Sequence, residues 1–280
     1  MLKYVLLAAS ALALPAAAQN TPVAPSQAHG TVSISLTRLD CGSILIKDFD
    51  AFFSDAHDYK PGPRRVTDSC YLIRHGDKAM LWDTGLPAAL KGQKKDMGAI
   101  VGGLDKTVVE QLAELGLKPA DISVVGISHM HSDHTGQAAD FGGAKLVVGK
   151  GDYDGTKGEG DPFGPWRSNG DKNVTTVGGS DFDVFGDGRV VVLRTPGHTP
   201  NHLSLLVRLA SGPVLLTGDL YHSTEARLKK GVPPFNTDRA DTLASMDRFE
   251  KLAKNLGAKV IIQHEPADIA KLPAFPKAAK

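Results

Sequence analysis

The chain has 280 residues, 41% of them hydrophobic and 22% charged, the balance of a globular protein with room for one large core or two small ones. Its formal net charge of +1 gives no electrostatic case for nucleic acid or an anionic membrane surface as a partner. The 30 glycines and 17 prolines are spread along the chain, which implies many loops between short elements.

Met1-Leu2-Lys3 is a short positive start, Tyr4 to Leu14 is apolar, Pro15 breaks the run, and Ala16-Ala17-Ala18 makes a small-residue cleavage site before Gln19. This is the layout of a secretory signal peptide. Residues 1–18 are expected to be removed, leaving one domain over residues 19–280 in the periplasm or outside the cell. The apolar run is shorter than the roughly 20 residues a spanning helix needs, so no membrane insertion is expected. Cys41 and Cys70 are the only cysteines, each in or beside a strand-like run. An exported protein can pair them or bury them as two thiols, and sequence distance does not decide between the two.

Asn20 to His29 reads as a leader with two prolines. Thr31 to Leu39 alternates as a half-buried strand does, and Ser43 to Lys47 continues or pairs with it. Phe49 to Arg65 is expected to be a loop. Ser69 to Arg74 and Ala79 to Trp82 form a hairpin through His75-Gly76-Asp77, closing on Asp83-Thr84-Gly85. Asp83 is either a plain turn residue or an acceptor that orients a metal-bound imidazole. Leu86 to Gly103 shows no firm pattern. Val108, Leu112 and Leu115 share one face of a helix ended by Gly116. Asp121 to Ser128 and Lys145 to Val148 are strands. Gly149 to Asn173 is irregular and carries Tyr153, Phe163, Pro165 and Trp166. It reads as a substrate-facing lid or as a surface loop pinned by its aromatics. Strands follow at Val190 to Leu193, Leu203 to Leu209, Val214 to Leu216 and Val260 to Ile262. Between the last two, Leu243, Met246, Phe249, Leu252 and Leu256 give the helix Asp238 to Leu256 a core-facing stripe.

The chemistry gathers at strand ends. His129-Met130-His131-Ser132-Asp133-His134 puts three imidazoles and a carboxylate within six residues, directly after a buried strand. His198, Asp219 and His264 each follow a strand of their own. A sheet whose strand ends share one rim would gather all of them into one cleft. His129, His131 and His198 would form one site, Asp133, His134 and His264 a second, and Asp219 has two oxygens with which to bridge them. Imidazole nitrogen and carboxylate oxygen suit two divalent ions, Zn(II) first among them, although Fe, Mn and Co accept the same donors. Two such ions about 3.5–4 Å apart would share a hydroxide that exists at neutral pH. Of the other histidines, His29 and His57 read as surface residues, and His202 as a structural one.

His129-x-His131-x-Asp133-His134, Gly197-His198, Thr217-Gly218-Asp219 and His264 together resemble the metallo-β-lactamase superfamily across essentially the whole mature chain. That resemblance implies an α/β fold, a four-layer αβ/βα sandwich with a dinuclear site at one edge of its sheets. It also favours the orienting role for Asp83. Leu39-Asp40-Cys41-Gly42, Cys70-Tyr71-Leu72-Ile73-Arg74, Leu81-Trp82-Asp83-Thr84-Gly85-Leu86 and Ile127-Ser128-His129 look most like the N-acyl-homoserine lactone lactonases, the quorum-quenching branch. The resemblance implies a metal-dependent hydrolase. A metal-bridging hydroxide would attack the lactone carbonyl, and Asp133 or water would supply a proton to the leaving alkoxide. Phe163 and Trp166 would be candidates for an acyl groove. The family's substrate-contacting tyrosine, three residues past the bridging Asp, is replaced here by His222, with Tyr221 one position earlier. Either residue is a candidate for that contact.

The expected partner is a small-molecule lactone or related ester, and a homodimer is among the assemblies allowed. The alternatives on the same site are an organophosphate hydrolase, a β-lactamase, against which Asp219 argues, and a thioesterase. A metal-loaded protein without turnover is disfavoured because no ligand position is lost.

Overall fold

A computed structural model describes residues 32–280, so the signal-peptide expectation and His29 lie outside the described residues. The first half of the described chain runs β1 (Ile34–Ile46), α1 (Phe49–Phe53), β2 (Arg64–His75), β3 (Lys78–Trp82), β4 (Lys95–Asp96), β5 (Ile100–Gly103) and α2 (Val108–Glu114). It continues through β6 (Val124–Gly126), α3 (Ser132–Thr135), β7 (Lys145–Gly149), α4 (Lys150–Gly155), α5 (Gly164–Ser168) and β8 (Val174–Val177). These strands form an eight-stranded sheet in the order β4-β5-β1-β2-β3-β6-β7-β8. The second half runs β9 (Phe182–Asp183), β10 (Val190–Arg194), β11 (Leu203–Leu209), β12 (Gly212–Leu216), α6 (Thr224–Lys229), α7 (Arg239–Leu256), β13 (Lys259–Ile261) and α8 (Pro266–Ile269). Its five strands pair in the order β13-β12-β11-β10-β9.

Alternation along the strands assigns the layers, because successive side chains point to opposite faces of a sheet. Tyr71, Ile73, Met80, Trp82 and Val124 of the large sheet meet Val192, Leu205, Val207, Leu216 and Ile261 of the small one in a single inter-sheet core. The opposite face of the large sheet buries Cys70, Leu72, Leu81, Val125 and Leu146 against Val108 and Leu112 of α2 and Trp166 of α5. The opposite face of the small sheet buries Leu206, Leu215 and Val260 against Met246 and Phe249 of α7. The result is helix, sheet, sheet, helix. Strands covered on both faces read as continuous apolar runs, which is why β11 and β12 stand out in the sequence. The helix ends are set by local chemistry. Thr107 and Glu110 form a reciprocal capping box on α2, Asp238 caps α7, and Gly257 ends α7 in the left-handed region.

Several expectations are corrected. The ligand-bearing strand ends belong to two sheets rather than one, so the cleft lies where the two sheets' edges meet. Phe49 to Arg65 is not a plain loop: Asp48 caps the short helix α1, which places Phe49 and Phe53 in a buried cluster with Tyr59. Leu86 to Gly103 contains the β4–β5 hairpin. Gly149 to Asn173 is no lid: it forms α4 and α5, and Tyr153, Phe163 and Trp166 are buried with the core residues of β7. Trp166 Nε1 donates to the Ala144 carbonyl at 2.7 Å, which fastens the segment down.

The cysteines are joined, with Cα atoms 5.8 Å apart. The two strands are antiparallel neighbours, and the register slips between Asp40 and Gly42, which makes Cys41 the extra residue of a bulge. A bulge re-aims the side chain it carries, and that solves the pairing of adjacent strands.

Candidate metal centre

Five strand ends build the site. β3 leads to Asp83, β6 to His129, β10 to His198, β12 to Asp219 and β13 to His264, while the single turn α3, entered at His131, carries Asp133 and His134. Two groups of ligand atoms result, each with its members within 4.8 Å of one another: His129, His131, His198 and Asp219, and then Asp133, His134 and His264. In the first group the His131 Nδ1 atom lies 3.0 Å from His129 Nε2 and 3.2 Å from His198 Nε2. Three imidazole nitrogens converging so closely match the roughly 3.3 Å edge of a tetrahedron with metal–nitrogen bonds of about 2.0–2.1 Å. Asp219 spans the groups: Oδ2 faces His129 and His198 Nε2 at 3.6 and 3.5 Å, and Oδ1 faces His134 and His264 Nε2 at 3.2 and 3.1 Å. Asp133 Oδ2 lies 3.9 and 3.8 Å from the same two nitrogens of His134 and His264.

Three of the imidazoles are aimed by the nitrogen that faces away from the centre, whereas His131 turns its Nδ1 inward. His134 Nδ1 donates to Asp83 Oδ2 at 3.0 Å, and His264 Nδ1 donates to the Thr67 carbonyl at 2.7 Å. His198 Nδ1 donates to Asn236 Oδ1 at 2.8 Å. Donation on that side leaves the Nε2 lone pair pointing inward, the tautomer a metal requires. Asp83 is fully buried with φ +59 and is fixed from three directions. Its Oδ1 accepts the Ser128 N–H at 2.7 Å, and its Oδ2 accepts the Ser128 hydroxyl at 2.8 Å and Gln263 Nε2 at 3.1 Å. A non-glycine residue held left-handed is strain that such a network sustains. Two residues on, the turn must use glycine, since Gly85 has φ +69 and a Cβ there would sit 2.4 Å from the Cys41 Cβ. His202 accepts the Asp219 N–H on Nε2 at 2.9 Å, while its Nδ1 donates to the Thr195 carbonyl. Burial lowers its pKa to about 4, so it stays a neutral brace for Asp219.

The donor set fits divalent cations. His134 Nε2 and Asp219 Oδ1 are buried and make no hydrogen bond, although they lie 3.2 Å apart, an arrangement that costs free energy unless a cation pairs with both. Burial pushes the His129 and His198 imidazoles well below their ordinary pKa, and both remain neutral donors. Burial acts against ionised Asp219 as well, but the surrounding imidazoles, His264 foremost, hold its carboxyl well below the usual range.

Of the two candidates for substrate contact, only His222 borders the cavity beside this centre. Its Nε2 is 3.2 Å from Asp219 Oδ2, and its ring stacks on Phe53 with centroids 4.2 Å apart. Tyr221 turns the other way: its ring packs on Phe249 and its hydroxyl donates to Glu250 on α7 at 3.0 Å. Phe163 and Trp166, expected at an acyl groove, lie in the core instead. The cavity encloses about 390 Å³. Its apolar wall comes from Ile44 and Ile46 on β1, Phe52 and Phe53 around α1, and Val66 on β2. Leu86, Met97, Ile100 and Phe235 complete that wall. His131, Ser132, Asp133, Asp219, His222 and His264 make its polar end, and none of the lining residues is Lys or Arg.

Sequence reading missed Ser128, Gln263, Thr67 and Asn236, which hold Asp83 and the imidazoles, and missed the aromatic wall. The first two directly neighbour ligands, a signal that was available. Asn236 and Phe235 come from a stretch without periodicity.

Residues 64–264 match the Metallo-beta-lactamase superfamily, and the chain belongs to it. The N-acyl homoserine lactonase AttM of Rhizobium radiobacter is 36% identical over 183 residues, covering 61% of this chain and 70% of the relative. AttM of Rhizobium johnstonii is 33% identical over 213 residues, covering 70% of this chain and 81% of that protein. An N-acyl homoserine lactone hydrolase solved with N-hexanoyl-L-homoserine at its catalytic metal centre superposes with a TM-score of 0.76 at 24% identity, covering 89% of this chain and 100% of the other.

Proposed function

We propose that this protein is a zinc-dependent hydrolase that opens the lactone ring of N-acyl-homoserine lactones. The observation that carries the reading is the union of an aspartate-bridged pair of donor clusters with an apolar-walled cavity that has no basic side chain. Two zinc ions held there would lower the pKa of a water toward about 7 and polarise an ester carbonyl. His129, His131 and His198 would hold one, Asp133, His134 and His264 the other, and Asp219 both. Ring opening adds water across the acyl carbon–oxygen bond. With one oxygen turned toward His134 and His264, the other oxygen of Asp133, part-exposed at the polar end of the cavity, would take the proton lost by the water and return it to the alkoxide that leaves. The apolar wall shelters the acyl chain and excludes water from it.

Charge separates this reading from two of its rivals, the β-lactamase and the thioesterase, whereas a phosphotriester is as neutral as a lactone and is told apart by turnover. A β-lactam or a glutathione thioester brings its own carboxylate. In this cavity that group would meet Asp133 or bare hydrocarbon with no basic side chain to pair it. A lactone is neutral. The test is mass analysis of N-hexanoyl-homoserine lactone after incubation. A product heavier by one water, with the amide intact, supports ring opening, whereas free hexanoate or unchanged lactone counts against it.

We also propose that the mature chain is exported. The Met1–Ala18 layout supports this, and so does the Cys41–Cys70 bond, since disulfides persist in oxidising compartments. Cell fractionation with an intact mass of the mature chain checks it, and a cytoplasmic protein retaining Met1–Ala18 would refute it.

A further inference from the structure

The Gly149–Asn173 segment makes no wall of the cavity, yet it sends one charged side chain toward the metal loops. Asp152 on α4 is fully buried. Its Oδ1 accepts the Met130 N–H at 3.1 Å, in the middle of the His129-x-His131 loop. Its Oδ2 accepts the Asn201 N–H at 2.8 Å, in the loop that carries His198. The backbone at the start of the same helix, from its N-cap Gly149 onward, is pressed onto that second loop. Gly151 N–H donates to Asn201 Oδ1 at 2.7 Å, and a Cβ at Gly149 would lie 2.1 Å from the Asn201 carbonyl oxygen. The two loops follow strands of different sheets, β6 and β10, so no ladder sets their spacing. The Leu203 N–H donates to the Ser128 carbonyl at 2.8 Å and joins the same segments close to the strands, whereas Asp152 joins them out where the ligands project.

We infer that Asp152 is a positioning residue for one half of the dinuclear centre: one carboxylate clamps the His129–His131 loop to the His198 loop and so sets the triangle of nitrogens that takes the first cation. Asp152 makes no hydrogen bond to Asp133, His134 or His264, so the second cation does not depend on it. A carboxylate suits the task because it accepts two backbone N–H groups from opposite sides. An amide offers one acceptor and sets an NH₂ against the other N–H. The inference rests on the two-cation reading.

The experiment is a zinc titration against a competing chelator on the parent and Asp152→Asn, with the melting temperature of each metal-free protein. The parent is expected to hold two ions. Asp152→Asn is expected to hold one with parental affinity and the other about 10–100-fold more weakly, the range found when a residue that orients metal ligands is lost, and the NH₂ set against a backbone N–H lowers the metal-free melting temperature without weakening the second ion. In a His264→Ala background the substitution should remove the remaining tight ion, and in a His198→Ala background it should change little. Equal weakening of both ions together with a lower metal-free melting temperature would assign Asp152 to general stability and overturn the inference. So would unchanged binding of both ions. If Asp152→Asn does not fold, Asp152→Ser is put through the same comparison, and failure of both to fold counts as the purely structural outcome. A parent that binds no metal would remove the two-cation reading itself, a result distinct from these.

Discussion

At the scale of single residues the site is a study in which atom of a side chain is left free. Asp83 consumes the Nδ1 proton of His134, and Thr67 and Asn236 do the same for His264 and His198. Replacing Asp83 by Asn offers His134 a weaker, neutral acceptor, so metal affinity or activity should fall about 10–100-fold. Zinc retention measured beside turnover checks this, and parental values for both would contradict it. Tyr221 supplies the opposite expectation. Its hydroxyl serves Glu250, so Tyr221→Phe should cost about 0.5–1.5 kcal/mol of stability and leave lactone kcat near the parent's. A large kcat loss with unchanged stability would restore it to the site. Protons also compete with metal here. Burial works against a charged His264, but Asp219 and Asp133 outweigh it and raise its pKa to about 9, and Asp219 likewise raises His134. In the metal-free protein the stability that His264 contributes is full below its unfolded pKa of about 6.5 and is lost as pH rises through about 9. Metal must displace that proton, so apparent zinc affinity should climb with pH up to about 9, with protons released on binding. Calorimetry in buffers of different ionisation enthalpy reads the release, and a pH-independent affinity would contradict it.

At the scale of elements, strand ends were legible and walls were not. His129, His198, Asp219 and His264 each follow an apolar run, and strands buried on both faces write such runs plainly. The turn after β12 hid more. Gly218–Leu220 makes a single tight turn, after which the chain is extended again, so Tyr221 and His222 point to opposite sides. Sequence alone cannot say which of two successive residues faces a cleft until the turn's geometry is known. The segments 49–65 and 149–173 misled for a related reason: short helices of five or six residues carry too few turns to show a period. The bulge at Cys41 was also invisible, and it is what lets neighbouring strands share a disulfide beside the Asp83–Gly85 turn. Reducing that bond should cost about 2–4 kcal/mol. A lower melting temperature in reductant at fixed metal content is the expected result, and an unchanged one would show the bond to be idle.

At the scale of the molecule, two sheets and their outer helices place a polar edge of candidate metal ligands against an apolar-walled cavity of about 390 Å³. Specificity belongs to this scale, because the wall draws on β1, β2, α1, the β4–β5 hairpin and the segment before α7 together. With about 0.8 kcal/mol per methylene buried, kcat/KM should rise with acyl length until the cavity is full and then level off. The reaction type was readable from seven candidate ligand residues. The substrate required the wall, which only the fold assembles. The most direct measurement is therefore turnover by metal-analysed protein on three substrates side by side: an N-acyl-homoserine lactone, a cephalosporin and a phosphotriester. Two ions per chain, dominant lactone turnover, and activity lost on chelation and regained with zinc are expected. Fast phosphotriester turnover without lactone turnover, or lactone turnover by metal-free protein, would contradict the proposed function.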